Sequence, residues 1–169
     1  MKKLTRISLI VLAGTGLALA VSNVDPVLKY SWGENIGWLN WRDAYGCAQG
    51  VEHHGTYLSG YVWGENVGFI NVGAGGGPYA NTNNTDFGVN ILGGGNLAGY
   101  AWGENIGWIN FGGGNLANPP QPARIDQGRL RGYAWAENLG WINLDLAPAG
   151  QHVSLYCYPN CDHSTVAPV

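Results

Sequence analysis

Tyr100-Ala-Trp102-Gly-Glu104-Asn105-Ile-Gly-Trp108-Ile-Asn110 is one of four copies of a single eleven-residue unit in this chain. The others run Tyr30 to Asn40, Tyr61 to Asn71 and Tyr133 to Asn143, the last with Ala136 in place of the first glycine. Successive copies start 31, 39 and 33 residues apart, and the segments between them differ freely. A motif held this constant inside one chain is a unit of construction, so the chain reads as a repeat protein. Seven of the eight tryptophans and four of the eleven acidic residues lie inside the motif.

Aromatic and apolar residues recur at i, i+2 within each copy, which is the strand period. In the third copy, Leu97 to Trp102 and Ile106 to Phe111 read as paired strands, joined by Gly103, Glu104 and Asn105. A three-residue loop requires a left-handed backbone only at its last position, which Asn105 tolerates. This register predicts Trp102 opposite Ile106 and Tyr100 opposite Trp108. Tyr100, Trp102, Ile106 and Trp108 then share one face, and Gly99, Ala101, Gly107 and Ile109 the other. Large-against-small faces let hairpins interdigitate, so Trp32, Trp63, Trp102 and Trp135 are expected in the core.

A further strand is expected before each later hairpin, at Gly50 to Glu52, Phe87 to Ile91 and Ala123 to Asp126. The first copy lacks one and reads as a cap, and Val153 to Tyr158 reads as a final capping strand. The expected fold is all-β, with hairpins or three-stranded meanders repeated four times as a β-solenoid or a rolled antiparallel sheet. The repeat units cover about 21–44, 45–74, 86–114 and 122–146, followed by a capping tail at 147–169. Gly73 to Thr85 and Gly112 to Pro122 read as irregular connecting loops.

The repeat resembles the aromatic "GYAWGENIGWINF" units of uncharacterised secreted and surface proteins of bacteria. That resemblance covers all four copies. It implies an exported β-repeat protein and no particular ligand.

The constant polar pairs are Glu34-Asn35, Glu65-Asn66, Glu104-Asn105 and Glu137-Asn138. Beside Trp38, Trp108 and Trp141 they form candidate sugar sites, in which carboxylate and amide bond hydroxyls next to a ring. Linked weak sites of this kind gain avidity. The alternative is structural: Asn makes the turn and Glu accepts backbone N–H groups. Asn40, Asn71, Asn110 and Asn143 are expected to form an amide ladder between repeats. Four equivalent glutamates do not make a catalytic pair, which needs two different environments. No nucleophile elbow or His-Glu-x-x-His appears, so no enzymatic activity is expected.

The first 20 residues read as an export signal: basic Lys2, Lys3 and Arg6, an apolar run from Ile7 to Leu19, and a cleavage site at Ala18-Leu19-Ala20. Cleavage leaves one domain, residues 21–169, outside the cytoplasm: secreted, on the cell surface, or in the periplasm. Losing three of eight basic residues leaves five against eleven acidic, a net charge of −6. That balance opposes nucleic-acid binding, and no remaining segment is apolar enough to span a membrane. Cys47, Cys157 and Cys161 are disulfide candidates of odd number: Cys157 with Cys161, or Cys47 with either. His53, His54, His152 and His163 lack metal-ligand spacing with them, so neither metal nor other cofactor is expected. The expected role is structural or adhesive, through self-assembly into a fibre or surface layer. The alternative is a lectin-like module for surface polysaccharide.

Overall fold

The structure, a computed structural model, describes residues 22–146 and 150–156. The export signal, Cys157, Cys161 and His163 lie outside them. The strands are β1 (Val24–Gly33), β2 (Gly37–Asn40), β3 (Glu52–His53), β4 (Leu58–Gly64), β5 (Gly68–Gly73), β6 (Val89–Ile91) and β7 (Leu97–Gly103). There follow β8 (Gly107–Asn110), β9 (Arg124–Asp126), β10 (Arg129–Arg131), β11 (Tyr133–Ala136), β12 (Gly140–Asn143), β13 (Asp145–Leu146) and β14 (Gln151–Leu155). The loops at 74–88 and 111–123 are irregular apart from a 3-10 turn at Gly113–Leu116, as their composition predicts.

The four copies form four hairpins, β1-β2, β4-β5, β7-β8 and β11-β12, and these close into an eight-stranded antiparallel barrel. The all-β class and the rolled antiparallel sheet are as expected, while the solenoid alternative gives way to this closed barrel. One register repeats at all four seams. The last Asn of each copy pairs with a Trp of the next, as Asn40↔Trp63, Asn71↔Trp102, Asn110↔Trp135 and Asn143↔Trp32. The fourth seam joins the last hairpin to the first, so no repeat of the barrel is terminal. The first copy is therefore not a cap. The C-terminal strand β14 pairs with β1 and occupies the place that β3, β6 and β9 take beside β4, β7 and β10.

The hairpin register differs from the expected one by two residues. Trp102 faces Trp108 and Tyr100 faces Asn110. The turn closes through Ile106 N–H to Gly103 O (3.1 Å), with its equivalents at Ile36, Val67 and Leu139. The left-handed residue is the glycine that follows, Gly37, Gly68, Gly107 or Gly140, at φ between 78° and 86°. Glycine adopts that conformation without the steric cost that Asn105 would bear. The extra residues place Ile106 inside the barrel and leave the three aromatics outside.

The face assigned to the core is thus reversed. An eight-stranded barrel is wide enough only for its own side chains. Across each hairpin one branched residue meets a smaller one inside: Leu39 with Ser31, Ile70 with Val62, Ile109 with Ala101, and Ile142 with Ala134. Trp41, Val72, Phe111 and Leu144 fill the next layer, and the void that these two layers line measures about 10 Å³. That is at most one water, so the barrel is a packed core and not a ligand cavity. Trp41 is the one tryptophan fully inside, and its indole N–H donates to Ser31 Oγ at 2.8 Å.

Space inside is tight near the turns. A Cβ at Gly33, Gly64 or Gly103 would stand 2.3 to 2.6 Å from the Ile36, Val67 or Ile106 side chain. The fourth copy carries Ala136 there, together with the chain's one γ-branched residue at the following turn position, Leu139, which is only partly buried.

No helix among the described residues is long and apolar enough to cross a membrane. The barrel strands have four to ten residues, and only β1 exceeds seven. Membrane-spanning strands run to about 9–11 residues.

Candidate ligand-binding site

All four Glu-Asn turns lie at one end of the barrel, and the asparagines link them into a ring. Asn66 Nδ2 donates to Ile36 O (3.1 Å), Asn105 to Val67 O (3.1 Å), Asn138 to Ile106 O (3.1 Å) and Asn35 to Leu139 O (2.8 Å). Each amide nitrogen is therefore committed to the preceding hairpin, and the last bond closes the circle. The structural expectation for Asn takes a new form: it clasps the neighbour while glycine makes the turn.

Asn40, Asn71, Asn110 and Asn143 do not form an amide ladder. Each Oδ1 accepts the backbone N–H two residues on, at Arg42, Gly73, Gly112 and Asp145, over 2.8 to 2.9 Å. This is an Asx turn where the strand leaves the barrel.

Glu34, Glu65, Glu104 and Glu137 are exposed, and none forms an ion pair with a described residue. The clasps set each one beside the previous hairpin, where Glu137 N–H donates to Trp108 O (3.3 Å) and Glu34 N–H to Trp141 O (3.4 Å). Candidate carboxylate and candidate ring thus meet between copies rather than within one.

The outer wall of every hairpin carries three aromatic rings in mutual contact, mostly edge-to-face. They are Tyr30, Trp32 and Trp38; Tyr61, Trp63 and Phe69; Tyr100, Trp102 and Trp108; Tyr133, Trp135 and Trp141. Trp32, Trp38, Trp63 and Trp135 remain 36 to 42% exposed. Clustered rings left this accessible to water mark a surface on which another molecule can pack.

One of these surfaces is walled into a cleft of about 380 Å³. Tyr100 and Trp108 line it with Phe87, whose ring meets Trp108 edge-on at 5.0 Å, and Glu137 enters from the next copy. Asn81, Thr82, Asn83 and Asn84 complete the rim. That volume falls within the ordinary range of small-ligand pockets.

The rim loop is held in shape by its own side chains. Asp86 Oδ1 accepts the Thr82 and Asn83 N–H groups at 2.8 and 2.9 Å. Its Oδ2 accepts the Thr82 hydroxyl and Asn83 Nδ2. The Thr82 hydroxyl, followed by the backbone N–H groups, holds the Asp86 carboxyl below its ordinary value. Asn81 Oδ1 ties the loop to the barrel by accepting Gly88 and Tyr100 N–H. Asn84 and Glu137 are both exposed, so amide and carboxylate can exchange water for a ligand's hydroxyls.

Of the residues expected to bind, the structure brings Glu137 to Trp108 and Glu34 to Trp141, and the first pair lines the cleft. Trp38 and Trp141 lie on equivalent surfaces that no described aromatic ring from outside their own hairpin stacks upon. The sequence reading missed Asn81 to Asn84, Phe87 and Tyr100 as site residues. The run Asn81-Thr-Asn-Asn-Thr-Asp86, dense in turn-forming side chains inside a long connector, was the available signal.

Cys47 carries a free thiol, its Sγ 3.4 Å from Asp43 Oδ1, and its suggested partners Cys157 and Cys161 lie outside the described residues. Among the described residues no three His, Cys, Asp or Glu side chains gather as a metal site. His54 Nε2 instead meets Ser59 Oγ at 2.8 Å, and its ring stacks on Tyr57. The chain matches no family model, no curated protein and no solved structure.

Proposed function

We propose that this protein is an exported carbohydrate-binding module whose principal site is the cleft above Trp108. The observation that carries this reading is the combination in one cleft of accessible aromatic rings with an exposed carboxylate and amide. Sugars offer a flat C–H face to a ring and hydroxyls to both donors and acceptors, so the pairing suits them. Glu137 accepts hydroxyl protons, Asn84 donates or accepts, and Tyr100 and Trp108 provide the stacking surface. The three other aromatic surfaces add weaker contacts, and linked contacts multiply on a polymer.

A glycan array spanning cell-wall and capsular sugars, followed by tryptophan-fluorescence titration, tests the reading. Trp108→Ala and Glu137→Gln should each weaken binding of the glycan by about ten-fold or more. Flat signals across the array would sink it.

A second reading is a structural or adhesive role through self-assembly, supported by the belt of exposed rings around the whole barrel. The closed sheet leaves free edges, among the described residues, only on the short flanking strands, so assembly would proceed through ring-to-ring packing. A protein that stays monomeric at high concentration, by light scattering and electron microscopy, removes this reading.

A further inference from the structure

The second and third hairpins carry related outer surfaces, with Phe69 in place of Trp108 and a different cover over that ring. In the third, Trp108 is approached edge-on by Phe87 and opens to the cleft. In the second, the equivalent ring is Phe69, and Tyr45 lies flat on it at 4.1 Å between centroids and 4° between planes. The same Tyr45 ring meets Tyr61 edge-on at 5.8 Å. Tyr61 corresponds to Tyr100, and Glu104 stands to this surface as Glu137 stands to the cleft, since Asn105 clasps Val67 as Asn138 clasps Ile106. A planar ring thus already sits face-on at the second position.

The chain holds Tyr45 there at a cost. Tyr45, Gly46 and Cys47 are successive left-handed residues, at φ 52°, 66° and 73°, and two of them carry a Cβ. Single left-handed residues with a Cβ cost roughly 1–2 kcal/mol each. The tight loop is fixed at its base by Gly46 and Cys47 N–H donating to Asp43 O, and Asp43 is held by Lys29 and by Asn40 Nδ2. Yet Tyr45 as a whole residue is 53% exposed, a poor return in burial for so constrained a backbone.

We propose that the second hairpin carries a masked copy of the third hairpin's ligand site, with the Tyr45 ring seated where the ligand's ring stacks. This rests on the reading of the Trp108 cleft as the binding site, and it assigns that site's ligand a flat-faced ring held against an aromatic floor. The molecule then has one open and one covered position of the same design. Displacing Tyr45 converts the second into the first and places two sites on adjacent hairpins.

The test uses the 15N-labelled protein and its Tyr45→Ala variant, titrated separately with p-cresol, which is the excised side chain, and with methyl β-D-glucopyranoside. In the wild type both probes should shift the backbone amides around Trp108, Tyr100 and Glu137 and leave those around Phe69 still. In Tyr45→Ala the amides around Phe69, Tyr61 and Glu104 should join them, with affinity there rising by about ten-fold or more. Adding Phe69→Ala should abolish the gain. Unchanged dispersion of the remaining amides establishes that the variant is folded, and Tyr45→Ser serves in its place should the alanine variant fail to fold.

Shifts around Trp108 alone in both proteins overturn the masked site and leave the cleft standing. Wild-type shifts around Phe69 that disappear in Tyr45→Ala also overturn it, because Tyr45 would then be part of a platform. If p-cresol behaves as expected while the glucoside shifts neither position, the pairing of sites holds and the choice of sugar falls. No shift at either position with either probe overturns both.

Discussion

The two faces of each hairpin are built on opposite rules. Inside the barrel the residues change from copy to copy: Trp41 with Ser31 in one, Phe111 with Ala101 in another, Leu144 with Ala134 in a third. Outside, the side chains hardly change, yet they fill nothing, and several rings stand more than a third exposed. Variation inside is what a packed volume permits, because hydrophobic swaps that conserve total volume are tolerated. Constancy outside is not explained by volume. That contrast is what motivates the proposal that the outer rings pack against another molecule.

The largest effect expected from this contrast is in the core. Ile109→Ala removes a buried side chain that the ring of neighbours cannot collapse onto, and should cost about 2–5 kcal/mol in denaturant unfolding. Trp38→Ala, although it deletes a larger side chain, should cost about 0.5–1.5 kcal/mol, chiefly its edge-to-face contacts with Tyr30 and Trp32. Equal costs for the two would erase the distinction between faces.

Next in size is the close approach at the turns. Gly103→Ala places a Cβ 2.6 Å from Ile106 Cγ1 and should cost about 1–3 kcal/mol. The fourth copy shows the remedy, since it holds Ala136 with Leu139. Adding Ile106→Leu to Gly103→Ala should therefore recover part of the loss, a coupling read from a double-mutant cycle. Strict additivity would mean that Leu139 makes no room for Ala136.

The same residues mark how far the amino-acid sequence alone reaches. Hairpins, the flanking strands near Glu52, Val89 and Arg124, and the two irregular loops were legible from strand periodicity and turn chemistry. The register was not, because Asn105 and Gly107 both accept a left-handed backbone and the choice shifts the pairing by two. Which face points inward was not legible either. Hydrophobicity favours burying tryptophan, and only closure of the sheet, which depends on the fourth seam between Trp32 and Asn143, turns the seven motif tryptophans outward while Trp41 stays inside. The site escaped for a related reason, since Trp108 meets Glu137 across a seam and meets Phe87 through a loop.

The asparagine ring gives a smaller effect. Asn35→Ala removes the one clasp that joins the last hairpin to the first and should cost about 0.5–1.5 kcal/mol by denaturant unfolding. Asn66→Ala and Asn105→Ala should cost amounts in the same range, because the geometry repeats. A much larger loss at Asn35 alone would show that closing the barrel depends on one bond instead of on four equivalent seams.

The smallest effect separates the faces by proton uptake. The barrel interior holds no titratable side chain among the described residues, so pH dependence must come from outside it. Burial, followed by the charge of His54, lowers the His53 pKa below its ordinary 6.5, and burial followed by Arg129 lowers that of His152. The unfolded chain therefore binds more protons than the fold as pH falls through this range. Stability should be fully present above about pH 7 and decline as pH drops from about 6.5 toward the depressed folded values. His53→Gln should flatten part of that slope in unfolding experiments between about pH 7.5 and 5. Ile109→Val should lower the whole curve and leave the slope unchanged, since it touches no proton. A change of slope from the core substitution would mean that the outer strands loosen when the barrel does, and that the two faces are one cooperative unit with respect to protons as well.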